Sequence, residues 1–128
     1  MDPIPDATEQ SAKHVVDAAF WVHTTLGPGL LESVYEACLT HELETKRIPF
    51  ARQVSLPVHY GGMTLDAGLR LDLLVADSII VEIKATESIL PVHEAQLLTY
   101  LKLTQNRLGL LINFNVPLLK NGIRRRVL

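Results

Sequence analysis

Residues 70–84 read RLDLLVADSIIVEIK, and this stretch predicts two strands joined by a tight turn. The segments 69–75 and 79–84 are rich in Leu, Ile and Val, and the residues between them, Ala76, Asp77 and Ser78, are typical of a turn. Strands this apolar are expected inside a sheet that is covered on both faces. Charged side chains within them therefore need a specific explanation, because burying an unpaired charge is costly.

The rest of the chain predicts helices around this strand pair. Helix-capping residues at 8–11 and apolar residues at helical spacing predict a first helix that ends at Gly27, and a second helix covers about residues 30–46. Residues 50–60 alternate as in a strand, where Pro57 indicates a sheet edge, and Gly61 and Gly62 form a two-residue hairpin turn. A helix over about residues 92–103, a buried strand over 108–114 and a short strand over 123–127 complete the order. This order predicts an α/β fold with a mixed central sheet flanked by helices, in a single domain spanning residues 1–128.

Length and composition exclude several classes of protein. The chain has 128 residues, 48% hydrophobic and 20% charged, which suits one core but not two ordinary domains. Its single cysteine, Cys38, excludes an internal disulfide and a cysteine-based zinc site. The net charge of −2 provides no overall basic field for nucleic acid, so residues 124–126, three arginines, are interpreted as a solvated face. We expect a cytoplasmic protein without a membrane span, since no apolar run approaches the roughly 20 residues that cross a bilayer.

Three charged residues stand out in the two apolar strands. Glu82 and Lys84 are two positions apart, so they lie on one face of their strand. If the strands pair around the turn, Asp72 lies directly opposite Glu82, and two like charges repel there. A divalent cation would relieve this repulsion, with the backbone carbonyl of Ile83 as a further oxygen ligand suited to Mg²⁺ or Mn²⁺. Lys84 would then lie beside the metal-bound water.

An ion pair is the alternative interpretation of the same residues. In that interpretation Asp72 and Lys84 pair with each other for structural reasons, and Glu82 is solvated at a sheet edge. The alternative predicts that replacing both acids by amides is neutral or stabilising, whereas a metal site predicts lost metal affinity.

Further blocks of sequence resemble a known family. Residues 29–35, GLLESVY, match the Gly-x-x-Glu-x-x-Tyr signature of the GxxExxY proteins, a RecB-like branch of the PD-(D/E)XK nuclease superfamily. The resemblance continues through residues 48–50, 70–75, 81–85, 91–101 and 109–114, and so covers nearly the whole chain. It implies a restriction-endonuclease-like fold, with the Glu-x-Lys pair on a central strand.

The resemblance also implies roles for the charged residues. Asp72 and Glu82 match the acids that bind the metal in this superfamily, and Lys84 matches the lysine that orients or activates the attacking water. Glu32 matches the carboxylate, carried by a helix, that completes the metal site in many members.

Five other positions are candidates for substrate contact or catalysis. Gln96 and Tyr100 match the Gln-x-x-x-Tyr motif of RecB-like nucleases, and their spacing of four places them on one helix face. His93 lies one turn earlier and can alternatively serve only to begin the helix. Arg70 lies in a matched block, and Tyr35 belongs to the signature but can alternatively be a core aromatic with a hydrogen-bonded hydroxyl.

The expected function is therefore Mg²⁺- or Mn²⁺-dependent hydrolysis of phosphodiester bonds in nucleic acid, with DNA as the first candidate. The alternative is a non-catalytic module that binds nucleic acid or protein on the same fold, which the net charge of −2 and the small size favour. A homodimer would help a small domain to hold a duplex, since such contacts typically bury about 1,000 Å² of protein surface or more.

Overall fold

The computed structural model describes residues 2–128, and in this range the chain forms three α-helices and seven strands. The helices are α1 (Asp6–Leu26), α2 (Glu32–Thr45) and α3 (Pro91–Thr104), with a short 3₁₀ helix at Leu119–Asn121. The strands are β1 (Phe50–Ser55), β2 (Val58–Tyr60), β3 (Met63–Leu65), β4 (Arg70–Val75), β5 (Ile79–Lys84), β6 (Leu108–Asn113) and β7 (Ile123–Val127). None of these helices is long and apolar enough to cross a membrane.

Five strands form the central sheet, in the order β1-β4-β5-β6-β7. Strands β5 and β6 are parallel, because α3 connects them, and the other neighbours are antiparallel. Strand β5, which carries Glu82 and Lys84, is the middle strand. The predicted mixed sheet with flanking helices is confirmed.

Each face of the sheet packs against its own helices. On one face, Leu73, Val81 and Ile83 belong to a core shared with α1 and α2. On the other face, Ile80 and Leu111 belong to a core shared with α3. The central strands are covered on both sides, which explains why β6 is buried along its whole length.

The segment predicted as one strand over residues 50–60 is divided in two. Strand β1 ends at Ser55, and β2 pairs only with β3 in a separate two-stranded hairpin. The break lies at Leu56, which is buried in the core on the α3 face, and Pro57, which has no N–H to donate. The predicted start of α1 was also late: the helix begins at Asp6 after Pro5, without a side-chain cap.

Gly109 allows α3 to approach the sheet closely. A Cβ atom at this position of β6 would lie 2.7 Å from the side chain of Leu97 in α3. A larger residue would require the Leu97 side chain to shift within the packed core. The glycine thus makes room for Leu97, one turn before Tyr100, against the central strands.

Candidate active site

Asp72 and Glu82 lie at the point where strands β4 and β5 separate. The antiparallel register runs from Val75 with Ile79 to Leu73 with Val81, and its continuation places Asp72 opposite Glu82. At this point the two strands are joined by hydrogen bonds from backbone N–H groups to the side chains of Asp72 and Glu82, instead of by backbone-to-backbone bonds. The backbone N–H of Asp72 donates to Oε2 of Glu82 at 2.8 Å, and the N–H of Ile83 donates to Oδ2 of Asp72 at 2.8 Å. One oxygen of each carboxyl group remains outside these two bonds.

Strand β4 changes face at Asp72. Leu71 packs into the core on the α3 face, whereas Leu73 packs into the core on the face of α1 and α2. Residues two apart in a regular strand point to the same face, so the strand is twisted locally between them. This irregularity gives the Asp72 side chain room between the strands.

Burial raises the pKa values of both acids, and neighbouring carboxylate charges add to the rise. Glu82 is only 5% exposed, and its pKa rises to about 8, first through burial and then through the charge of Asp72. The N–H of Asp72 and the charge of Lys84 oppose this rise without cancelling it. Burial likewise raises the pKa of Asp72, against the hydrogen bond from Ile83. The pair is therefore electrostatically unsatisfied, and a nearby cation would stabilise its charged form.

Lys84 is half-buried beside the two acids and makes no ion pair with any residue from 2 to 128. Its charge favours the ionised forms of Asp72 and Glu82. The alternative of a structural Asp72–Lys84 ion pair with a solvated Glu82 is therefore wrong, because Glu82 is buried and Lys84 is not paired within 4 Å.

Asn113 fixes the backbone that follows Lys84. It pairs with Lys84 in the parallel register and is almost fully buried. Its side chain accepts from the N–H of Thr86 at 3.1 Å and donates to the Thr86 carbonyl at 3.0 Å. These two bonds hold the end of β5, where Lys84 leaves the sheet.

A polar cavity of about 310 Å³ opens beside Asp72. Its lining comes from α2, β1, β4 and β5: Glu32, Ser33, Glu36, Gln53, Asp72 and Ile83. The cavity is large enough for several waters or a small anion with a hydrated cation. Acids of raised pKa beside such an opening are typical of functional sites.

Comparison with known families agrees with this geometry. The family model of the PD-(D/E)XK nuclease superfamily matches residues 9–126. The chain belongs to this superfamily. Its five-stranded mixed sheet with helices on both faces is consistent with the restriction-endonuclease-like fold. Searches of curated proteins and of solved structures found no match.

Of the three carboxylates expected to bind the metal in this PD-(D/E)XK chain, Asp72 and Glu82 lie together, whereas the side chain of Glu32 does not join them. Glu32 begins α2 and lines the cavity with Asp72 and the Ile83 backbone, but its side chain is exposed. Within residues 2–128, no group of three His, Cys, Asp or Glu side chains is close enough to hold a metal ion. The expected three-carboxylate set is therefore not formed. The two carboxyl groups of Asp72 and Glu82 offer hard oxygen atoms, which are the kind of ligand that Mg²⁺ prefers.

Glu36 is a site residue that the sequence interpretation missed. It lines the cavity, is only 8% exposed, and its charge raises the pKa values of Asp72 and Glu82. Its four-residue spacing from Glu32 was the available signal, because that spacing places both acids on one face of α2.

Helix α3 brings one of its candidates to the acids. Tyr100 is largely buried, and its pKa is raised by burial and then by the charges of Glu82 and Asp72, so its hydroxyl lies near the pair. Gln96 is exposed and does not line the cavity beside Asp72. His93 accepts a hydrogen bond from the N–H of Leu90 at 3.1 Å, which fits the interpretation that it begins the helix.

Tyr35 is not brought to the site. Its ring is fully buried and stacks on Phe114 with centroids 4.5 Å apart. Its hydroxyl donates to the Gly27 carbonyl at 2.6 Å and accepts from the Leu30 N–H at 3.1 Å. This position corrects the expectation of substrate contact and fits a core aromatic that fixes the loop between α1 and α2. Arg70 is exposed at the start of β4 and donates to the Gln53 carbonyl at 3.5 Å.

Proposed function

We propose that this chain is a single-domain, metal-dependent nuclease that hydrolyses phosphodiester bonds in DNA. The observation that carries the proposal is the pair of a buried Glu82 and a half-buried Asp72, both with raised pKa values, beside a Lys84 that makes no ion pair within residues 2–128. A structural role would leave such a pair uncompensated, whereas a cation bound between the free carboxyl oxygens would stabilise it.

Asp72, Glu82 and the Ile83 carbonyl would hold Mg²⁺ or Mn²⁺, and Glu32 would complete the set by turning its exposed side chain into the cavity. The bound ion would supply a water of lowered pKa and would neutralise charge on the phosphate. Lys84 donates hydrogen bonds to the attacking water, and its charge favours the ionised forms of both acids. Tyr100 and Gln96, on one face of α3, contact the substrate near the acids. The spacing of this pair supports the assignment to the GxxExxY proteins, a RecB-like branch of the superfamily.

A cleavage assay tests this proposal. The protein is incubated with labelled single-stranded DNA, duplex DNA and RNA, in Mg²⁺, in Mn²⁺ and in EDTA. We expect cleavage that needs the metal and that falls at least about 100-fold in Lys84→Ala, since positioned proton-transfer groups typically contribute that much. Lys102→Ala is the matched control, because Lys102 is exposed in the last turn of α3. Unchanged cleavage by Lys84→Ala would contradict the assigned role.

A second candidate is a non-catalytic module that binds nucleic acid or protein on the same fold. The lack of a preformed group of three metal-binding side chains in residues 2–128 favours it. The same assay separates the two, because a binding module retains DNA without cleaving it in either metal. A homodimer would extend the contact surface in either case.

A further inference from the structure

A second polar network lines the cavity beside the acids. Oε2 of Glu36 accepts hydrogen bonds from Nε of Arg52 at 3.1 Å and from Nη2 of Arg52 at 2.9 Å. Its other oxygen, Oε1, accepts from Nε2 of Gln53 at 2.8 Å. Helix α2 and strand β1 are thus joined at the cavity wall by one buried carboxylate and two side chains of the strand.

Gln53 adopts an unusual backbone conformation in this network. Its φ of 50° lies in the left-handed region, although it is in the middle of β1 and is not a glycine. Strand β1 pairs with β4 on both sides of it, at Arg52 with Leu73 and at Val54 with Leu71, but the pair between Gln53 and Asp72 is missing. Both strands are therefore irregular at the same point, beside the acids. Such backbone strain persists only where surrounding contacts impose it, and it is typical of functional sites.

Arg52 is the basic member of this network. The ion pair uses Nε and Nη2, which leaves Nη1 outside it, and the side chain is 45% exposed. A phosphate that enters this cavity meets the negative charges of Glu32, Glu36 and Asp72. Arginine binds phosphate oxygens through several donors in a fixed plane, so a guanidinium held against Glu36, which lines the cavity, can offset this repulsion.

We propose that Arg52 contacts a phosphate of the substrate beside the one that is cleaved. Glu36 and Gln53 are positioning residues: Glu36, which lines the cavity, holds the guanidinium and leaves Nη1 for the phosphate, and Gln53 holds Glu36. This inference rests on the proposed function in one respect, namely that nucleic acid is the ligand of the cavity.

The salt dependence of DNA binding tests this contact without requiring cleavage. The probe is a short fluorescein-labelled DNA duplex with a single-stranded overhang, and its anisotropy is followed in EDTA at several salt concentrations. Each phosphate contact on a duplex contributes a slope of roughly −0.9 to log K against log salt, and roughly −0.7 on a single strand. We expect Arg52→Ala to reduce the magnitude of the slope by about one such contact, and Arg52→Lys to retain most of it.

Arg125→Ala is a close control. Arg125 pairs with Glu9 at 2.7 Å and is 43% exposed, which matches Arg52 in pairing and exposure, but it lies on β7 at the opposite edge of the sheet. We expect its slope to equal that of the wild type. An unchanged slope in Arg52→Ala, or equal reductions in both variants, would overturn the proposal.

Arg52→Ala leaves the buried Glu36 without its partner and can fail to fold. The comparison of Glu36→Gln with the double variant Glu36→Gln/Arg52→Ala avoids this problem, because neither contains an unpaired carboxylate at position 36. The side-chain oxygen of a glutamine at position 36 can still accept from Arg52, so the double variant is expected to show the smaller slope, and equal slopes would refute the contact.

Kinetics test the positioning role of Glu36. Glu36→Gln retains the Arg52 charge and removes a negative charge, so KM is expected not to rise while kcat falls. A kcat equal to that of the wild type would show that Glu36 does not position Arg52 for catalysis.

Failure of this inference is distinguishable from failure of the proposed function. A wild-type protein that cleaves DNA, with Arg52→Ala unchanged in slope and rate, refutes the contact and leaves the nuclease. A wild-type protein that binds DNA with a slope dependent on Arg52, but cleaves nothing in Mg²⁺ or Mn²⁺, supports the contact and refutes the nuclease. A wild-type protein that does not bind the probe overturns the contact.

Discussion

Replacing Glu82 by glutamine should change how the stability of the metal-free protein depends on pH. The pKa of Glu82 is about 8 in the folded protein against an ordinary value of 4.5. Because the folded pKa is the higher one, the folded state keeps a proton that the unfolded chain releases between these values. The stabilisation from this proton is complete below pH 4.5 and is lost as the pH rises through 8. At about 1.4 kcal/mol per pKa unit, the loss has an upper bound of about 5 kcal/mol.

The assay is urea unfolding followed by circular dichroism, in EDTA, from below pH 4.5 to above pH 8. In Glu82→Gln the side chain does not titrate, so the variant is expected to become more stable relative to the wild type as the pH rises through this range. Glu87→Gln, which changes an exposed glutamate in the loop before α3, is expected to follow the wild type. Parallel curves for the wild type and Glu82→Gln would refute the reasoning, because they would mean that Glu82 titrates normally in the fold.

Three further substitutions test the framework around the site. Tyr35→Phe removes the hydrogen bonds of the hydroxyl to Gly27 and Leu30, so the free energy of unfolding in urea should fall by about 1–3 kcal/mol. The kcat for DNA cleavage should not change. A raised KM would instead show that Tyr35 contacts the substrate. Gly122→Ala places a Cβ atom 2.1 Å from the Asn113 carbonyl oxygen, so a loss of at least about 1–3 kcal/mol is expected, and a wild-type melting temperature would show that the chain relaxes there. Asn113→Ala removes both side-chain bonds to the backbone after Lys84 and should lower stability and kcat together; loss of stability alone would limit its role to the fold.

Much of the fold was predictable because local pattern and tertiary packing agree. The turn at residues 76–78 fixes the register of two apolar strands, so the sequence alone placed Asp72 opposite Glu82. The buried β6 and the helices on both faces followed from apolar periodicity. Strand β1 was predicted too long, since the alternating pattern continues through Leu56, which packs into the same core as Val54, although the strand ends at Ser55 before Pro57.

The polar network on the cavity wall was not predictable from the sequence. Glu36, Arg52 and Gln53 meet only because α2 packs beside the edge strand β1, and the left-handed conformation of Gln53 has no sequence signal. Tyr35 is the opposite case, because the sequence suggests a site residue and the structure places it in the core. A signature tyrosine suggests chemistry, but here its hydroxyl satisfies backbone groups of a buried loop. Spacing identifies which residues share a face, whereas their partners depend on tertiary packing.

The most direct test of the metal site is a calorimetric titration of the metal-free protein with Mn²⁺. It needs no knowledge of the substrate, and it is run on the wild type, Glu82→Gln, Asp72→Asn and the control Glu87→Gln. We expect the wild type and the control to bind Mn²⁺ and the two site variants not to bind it, because each variant loses a charged oxygen ligand. Equal Mn²⁺ affinity in all four proteins would contradict a metal site at Asp72 and Glu82.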